Sequence, residues 1–334
     1  MKKKLILTAV IAVFCFTACK KKAGTESGSP PSRRPQFDIA YSGITCGAPV
    51  AVAALKGFYA EEGVDVELVS GTAFEAQQAA LASGKMPVIN GDFQFFPAIQ
   101  NGFDIKIISG LHEGCIKVLV PNDSPIQKIS DLKGKTVLVD GIGGTPMMVT
   151  AVAAGRAGLK AGIDGDIIWK PFPWDQLLQA MEKGEGDAVA VWDPFATQGE
   201  RSGKYRTLID IGKDEPFAGK NCCFMFASGK LIREEPESIA AVLRAIQKAI
   251  AWTGSHPEET AALLISSKKI ASDDTEFISA LIESYKYHNY HGSHSIIKAK
   301  EDALFFAREL ITIGYLPADL DAQKFIDETF VAIN

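Results

Sequence analysis

The stretch PVAVAALKGFYAEEGVDVELVS, residues 49–70, decides the fold of this chain. Its first part, Pro49–Glu62, is rich in alanine and amphipathic, which is typical of a helix. Its second part, Val64–Ser70, is a short strand-like run rich in valine. A helix that leads directly into a strand is part of the βαβ unit from which parallel sheets are built.

The same alternation continues on both sides of this stretch. Helical segments separate most of the strand-like runs, and the pattern becomes almost wholly helical from Pro236 onward. The sequence therefore predicts an α/β fold with mostly parallel, doubly wound sheets and a helical C-terminal part. The other strand-like runs are Asp38–Ser42, Val88–Asn90, Ile105–Ser109, Ile116–Pro121, Thr136–Asp140, Ile167–Pro171, Ala188–Trp192 and Arg206–Ile211.

The N-terminus has the layout of a secretory signal. Three lysines at positions 2–4 precede the apolar run Leu5–Phe16, which is too short to span a bilayer. Ala18 and then Cys19 follow, an order that resembles a bacterial lipobox in which Cys19 is lipidated. Cleavage to a free protein stays open as the alternative, because Phe16 stands where such boxes more often carry leucine.

The segment after Cys19 predicts a tether that carries an acidic folded part. Residues 20–36 mix lysine, glycine, serine and proline and can bury no core, so we expect a flexible linker. Residues 35–334 contain 27 basic and 39 acidic side chains, a formal charge of −12. This charge argues against a nucleic-acid partner, and the length favours two lobes.

The residues just after each strand are the candidate site, because ligands of open α/β sheets lie beyond the carboxyl ends of the strands. The loop Gly141–Pro146 is one of them. Its glycines allow close approach of the backbone to a ligand, and Thr145 and Pro146 suit the start of a helix. Free N–H groups at that helix start would donate hydrogen bonds to an anion or a carbonyl. A plain capped helix explains the loop equally well. The glycine spacing does not match a dinucleotide-binding fingerprint.

Three motifs carry a resemblance to a known family. Gly57–Glu67, Asp131–Val137 and Trp192–Phe195, together with the helical tail, resemble solute-binding proteins of the nitrate, sulfonate and taurine ABC importers, the NMT1/THI5-like group. The resemblance implies a type II periplasmic-binding-protein fold, a monomer whose two lobes close by hinge motion on a small organic ligand. It places lobe 1 at residues 37–118 plus 224–334 and lobe 2 at 119–223. It also implies delivery to an ABC permease and ATPase from the periplasm or the outer face of the cell membrane.

The resemblance also implies a set of ligand-binding residues in the cleft. Trp192 and Phe93 would stack on a flat ligand, and the Gly143–Pro146 helix end would hold a sulfonate, so both ligand classes are compatible. Phe95 and Phe96 fit a core position better. The implied set is Thr45, Cys46, Asp92, Phe93, Gln94, His112 and Cys115 on lobe 1, Gly143, Gly144, Thr145, Trp192 and Asp193 on lobe 2, and Cys222 on the returning crossover.

Four cysteines remain after Cys19, and three interpretations stay open for them. Cys46, Cys115, Cys222 and Cys223 are either buried free thiols, or partly joined in a disulfide such as Cys46 to Cys115, or the lining of a pocket for a soft metal or metal complex. Their spacing alone matches no zinc signature.

No catalytic constellation is present in the sequence. It contains no nucleophile elbow, zinc-protease helix or phosphate-binding lysine loop, so we predict a binding protein without a cofactor and not an enzyme. Cys222-Cys223-Phe224 resembles part of the motif of the thiamine-pyrimidine synthases. An enzyme of that type, and a binder of metal or metallocofactor, remain the alternative functions.

Overall fold

The computed structural model describes residues 34–71, 74–287 and 293–333. The predicted signal, Cys19 and the linker up to residue 33 lie outside the described residues. Among the helices that are described, none has both the length and the apolar character needed to cross a membrane.

Strands and helices alternate through the first two thirds of the described chain, as predicted. The strands are β1 (Gln36–Tyr41), β2 (Asp65–Ser70), β3 (Val88–Asp92), β4 (Ile105–Glu113), β5 (Ile116–Pro121), β6 (Thr136–Val139), β7 (Ile168–Pro171), β8 (Ala188–Trp192), β9 (Tyr205–Asp210) and β10 (Asn221–Ser228). The helices are α1 (Ala48–Leu55), α2 (Phe58–Glu61), α3 (Phe74–Ser83), α4 (Phe96–Gln100), α5 (Thr145–Arg156), α6 (Leu177–Glu182), α7 (Phe195–Arg201), α8 (Gly229–Glu234), α9 (Pro236–Ser255), α10 (Pro257–Ser266), α11 (Thr275–Ser284), α12 (Ser293–Thr312) and α13 (Ala322–Thr329).

These strands form three sheets. β1 and β2 make a parallel pair, and β10 lies between β3 and β4, antiparallel to both. The five-stranded sheet has the order β7-β6-β8-β5-β9, in which β6 is parallel to β7 and β8 while β5 is antiparallel to β8 and β9. All strands of this sheet come from residues 116–210. The lobe boundaries given above stay a prediction.

Strands β5 and β10 are antiparallel to their neighbours, whereas the sequence predicted mostly parallel sheets. A parallel neighbour needs a crossover connection, usually a helix. The chain enters β5 from β4 through Gly114 and Cys115, and it reaches β10 from β9 through turns at residues 211–220, with no helix in either connection. These two connections join the three-stranded sheet to the five-stranded sheet.

The helix predicted over Pro49–Glu62 is two helices, α1 and α2. Gly57 separates them with φ +79°, in the left-handed region that side-chain-bearing residues disfavour. Both helices pack on α9. The buried residues of α9 recur every three or four positions, which explains why the pattern predicted this helix well; they include Ile239, Val242, Leu243, Ile246 and Ile250.

Candidate ligand-binding cleft

A cleft of about 580 Å³ lies beyond the carboxyl ends of β1, β3, β6 and β8, and we refer to it as the cleft. This volume suits a small organic molecule. One wall includes Ser42, Cys46, Asn90, Asp92 and Gln94, and the other includes Trp174, Trp192 and the segment 140–144 that leads into α5. The position agrees with the rule for open α/β sheets.

Asp92 connects the two walls. Its carboxylate accepts a hydrogen bond from the hydroxyl of Thr145 at the start of α5. It also accepts from the backbone N–H of Gln94 at 2.9 Å and from the Gln94 side-chain amide at 3.3 Å. Burial raises the pKa of Asp92 well above its ordinary value. All of these bonds lie within the protein, so Asp92 helps to shape the cleft.

Asp140 presents an unsatisfied acceptor in the second wall. The indole Nε1 of Trp192 donates to Asp140 Oδ2 at 2.9 Å, whereas Oδ1 is buried and has no hydrogen-bond partner among the described residues. Burial raises the pKa of Asp140. A Cβ placed on Gly144 would come within 2.6 Å of this Oδ1, so the carboxyl group lies against the start of α5. It therefore occupies the helix end predicted to hold an anion.

The ionisable side chains with a carboxyl or basic group that line the cleft, among the described residues, are all acidic. No lysine, arginine or histidine is among the described residues that line it, and two carboxyl groups are. A permanently charged anion would lose its hydration there without gaining an opposite charge. The described lining therefore favours a neutral or cationic ligand that donates hydrogen bonds.

The structure brings some of the predicted site residues together at the cleft. Cys46, Asp92, Gln94, Gly143, Gly144 and Trp192 line it. Of the others, Phe93 is fully buried and stacks on Phe306 with ring centroids 4.1 Å apart, and Thr145 is buried behind Asp92. The remaining predicted residues, Thr45, His112, Cys115, Asp193 and Cys222, are also buried and outside the cleft lining.

Several lining residues were not predicted. Trp174 follows β7, so the rule about strand ends applied to it as well as to Trp192. Ser42 follows β1 in the same way. Asn90 gave no such signal, because it lies within β3 and reaches the cleft only through the direction of its side chain.

A second cavity of about 420 Å³ lies on the other side of the β4–β5 connection. Its lining includes Cys115, Lys117, Asp193, Glu200 and Tyr285. Lys117 pairs with Glu200. Burial raises the pKa of Asp193 to about 6, against the lowering effect of Lys117 and of the two hydrogen bonds that Thr197 donates.

Between the two cavities the four cysteines converge. The Sγ atom of Cys115 lies 3.4 Å from that of Cys222 and 3.8 Å from that of Cys223, and the last two are 3.7 Å apart. Cys46 completes the group, and all four are buried free thiols. Burial raises the pKa of Cys222, but hydrogen bonds from Cys115 and Cys223 outweigh it and bring the pKa down to about 7.

His112 lies within the same group, which we call the thiol cluster: Cys46, His112, Cys115, Cys222 and Cys223. One ligand atom from each of Cys46, His112, Cys115 and Cys223 can be chosen so that all four lie within 4.8 Å of one another. Sequence spacing could not reveal this group, since its members come from three separate segments of the chain, at residue 46, residues 112–115 and residues 222–223.

Comparison with solved structures identifies the class of fold. The alkanesulfonate-binding protein SsuA from Xanthomonas axonopodis pv. citri, bound to MOPS, superposes with a TM-score of 0.72 at 15% identity, covering 90% of this chain and 99% of that one. The chain has the fold of the periplasmic binding proteins, as predicted.

Sequence comparison identifies the family. A sequence model described as "NMT1/THI5 like" matches residues 45–260, and the chain belongs to this family. A putative aliphatic sulfonates-binding protein of Bacillus subtilis is 24% identical over 99% of this chain and 96% of its own length. The riboflavin-binding protein RibY of Chloroflexus aurantiacus is 23% identical over 78% of this chain and 76% of its own. Both relatives are thus named as binding proteins for small molecules.

Proposed function

We propose that this chain is the extracytoplasmic receptor of an ABC importer and that it binds an aromatic heterocycle carrying N–H or amino donors. The receptor is held at the membrane by lipidated Cys19 and delivers its ligand to a permease and ATPase. It performs no chemistry on the ligand. The fold, the family and the names of the relatives support the receptor role.

The pair of Asp140 and Trp192 on one wall of the cleft is the observation that carries the ligand class. Both residues line the cleft, and the carboxyl group can accept a hydrogen bond from a ligand N–H. Trp192 is fixed beside it by its bond to Oδ2, and Trp174 lines the same wall. A flat ring that stacks on an indole and donates to Asp140 satisfies both features.

A sulfonate is the second candidate, and the names of several relatives favour it. In such a receptor the start of α5 would bind the anion. Here Asp140 lies at that helix start and the described cleft lining has no cation, so a sulfonate would meet like charge. We therefore rank it below the heterocycle.

Isothermal titration calorimetry on the purified protein tests the proposal. The probes are an aminomethylpyrimidine and riboflavin on one side, and taurine and MOPS on the other. We expect a heterocycle to bind and Asp140→Asn to weaken it by about 10- to 100-fold, the value of one hydrogen bond to a charged group. Asp123→Asn, on an exposed turn, is the matched control and should leave binding unchanged.

Two results would count against the ligand class. One is tight binding of a sulfonate by a protein that binds neither heterocycle. The other is an affinity for the heterocycle that Asp140→Asn does not alter. Chemical conversion of a bound small molecule would overturn the receptor role itself.

A further inference from the structure

We propose that the thiol cluster is a metal centre, in which Cys46, Cys115, Cys223 and His112 hold one soft or borderline cation of the Zn²⁺ or Cu⁺ type beneath the floor of the cleft. Two of these donors, Cys46 and Cys223, also line the cleft, but the proposal does not depend on the class of ligand given above. The donor set of three thiols and one imidazole suits these ions, whereas hard cations such as Mg²⁺ and Ca²⁺ prefer oxygen.

The distances between the donors fit a single ion. Zn–S bonds of about 2.3 Å in a tetrahedron place two sulfur atoms about 3.8 Å apart. Cys115 and Cys223 have this separation, 3.8 Å, between their Sγ atoms. The longest separation within the four-donor set is no more than 4.8 Å, so small side-chain rotations bring every donor to bonding distance.

His112 has the orientation of a metal-binding histidine. Its Nδ1 donates to the backbone carbonyl of Glu113 at 3.0 Å, which leaves the buried Nε2 facing the thiols of Cys46 and Cys223. A histidine that binds a metal through one nitrogen commonly donates its other N–H to a carbonyl in this way.

Two tyrosines hold the donors in place. The rings of Tyr285 and Tyr287 pack against the imidazole of His112, with centroids at 4.8 and 5.4 Å. The hydroxyl of Tyr287 also donates to the carbonyls of Thr45 and Cys46, at 3.0 and 3.1 Å, and so fixes the turn that carries the Cys46 thiol. A buried set of four donors with this support is typical of a closed, four-coordinate site.

Cys222 belongs to the thiol cluster but lies outside the four-donor set. Its Sγ atom contacts the carbonyl of Gly114 at 3.4 Å and also the Sγ atoms of Cys115 at 3.4 Å and Cys223 at 3.7 Å. Cys222→Ser therefore tests the choice of donors, and Thr150→Val, at a buried position outside the cluster, is the neutral control.

The location predicts what the ion would do. Cys115 lies in the β4–β5 connection and Cys223 at the start of β10, just after the return from β9. One ion would therefore join the two connections between the sheets to the turn after β1. We expect the ion to stabilise the fold and to make the two connections between the three-stranded and five-stranded sheets more rigid.

Metal titration of the reduced full-length protein, purified without oxygen, tests the proposal. Co²⁺ is the optical probe and Zn²⁺ the competitor, and metal content is measured in parallel. We expect one Co²⁺ per chain, with sulfur-to-cobalt charge-transfer bands and tetrahedral d–d bands that Zn²⁺ abolishes. Zn²⁺ should also raise the melting temperature. Cys46→Ser, Cys223→Ser and His112→Gln should each weaken binding by about tenfold or more, and Thr150→Val should leave it unchanged.

Circular dichroism of every variant in a chelator shows whether it is folded. If Cys46→Ser fails to fold, His112→Gln carries the test. Three results would overturn the proposal: a reduced, folded protein that binds neither Co²⁺ nor Zn²⁺; loss of binding in Cys222→Ser but not in Cys46→Ser; or a disulfide between cluster cysteines in metal-free protein isolated from cells. Heterocycle binding is also measured in the protein treated with chelator. This measurement tests the proposed receptor function without metal, so failure of one proposal can be told from failure of the other.

Discussion

The carboxyl group of Asp92 and the hydroxyl of Thr145 form one bond between the two walls of the cleft. Asp92 ends β3 and Thr145 begins α5, and both are buried. Because neither group reaches water, removing one partner leaves the other without its hydrogen bond.

We expect Thr145→Val to lower the free energy of unfolding by about 1 kcal/mol, since Asp92 Oδ1 loses the Thr145 hydroxyl and keeps only the Gln94 N–H as a donor. Urea unfolding measures the change. Thr150→Val is the matched control, because Thr150 is equally buried but bonds only to the Pro146 carbonyl one turn back in its own helix. A similar loss for both variants would argue against a special role of the Asp92 bond.

Some residues of the cleft could be predicted from the sequence and others could not. Asp92 and Trp192 end β3 and β8, and Gly143 lies in the loop after β6, so the general rule for α/β sheets already pointed to these three cleft-lining positions. Phe93 comes directly after Asp92, yet its ring points into the core onto Phe306, and local sequence carries no sign of that direction. The thiol cluster depends on the convergence of three segments, which is a property of the fold and not of any motif.

At the scale of single elements, Gly57 shows how a glycine divides a helix. Gly57→Ala puts a side chain at φ +79°, and we expect a loss of about 1 kcal/mol or more in the free energy of unfolding. Gly162→Ala is the control. Both positions have open space for a Cβ, but Gly162 lacks the positive φ, so its substitution should be close to neutral. Equal losses of stability in the two variants would show that the positive φ of Gly57 is not the cause.

The contact between α2 and α9 predicts a pH-dependent stability. Glu62 pairs with Arg244 at 2.7 Å and with Lys248 at 2.5 Å. Hydrogen bonds from Lys248 and Arg244 lower the pKa of Glu62. The folded pKa is thus below the unfolded value of about 4.3, so the stabilisation is complete above that value and is lost as the pH falls through the folded pKa.

We therefore expect Glu62→Gln to lower stability by about 1 kcal/mol at pH 7 and by progressively less below pH of about 4. Thermal unfolding across this pH range measures the difference. Glu61→Gln is the control, because Glu61 is more exposed and meets only Lys248, at 3.4 Å. If the stability difference between Glu62→Gln and the unaltered protein grew as the pH fell, the prediction would be wrong.

The strands show where sequence patterns are sufficient and where they fail. Ile116–Pro121 and Ala188–Trp192 were predicted with the bounds that the structure has, since helical segments or turns set them apart. Asn221–Ser228 was missed, because every residue of β10 is buried and the segment shows no alternation. Its antiparallel pairing with β3 and β4 depends on where the chain returns, which local patterns do not encode.

At the scale of the whole molecule, the proposed receptor depends on its attachment to the membrane. We expect Cys19→Ser to abolish labelling by a radioactive fatty acid and to move the protein from the membrane fraction to the soluble fraction. Cys15→Ser changes a cysteine within the apolar run and should leave both properties intact. Retention of the label in Cys19→Ser would disprove the lipid anchor, while simple secretion of the unaltered protein would favour cleavage to a free form.

The placement of the tryptophans gives this protein a natural optical sensor. Of its four tryptophans, Trp174 and Trp192 line the cleft, whereas Trp252 stacks on His256 and Trp169 bonds to the Gly162 carbonyl, both outside the cleft lining. Emission from the first two should change when a ligand displaces water or stacks on the indoles, against a constant background from the others. Occupancy of the receptor can therefore be followed in real time without a label, and Trp192→Phe would show how much of the signal arises beside Asp140.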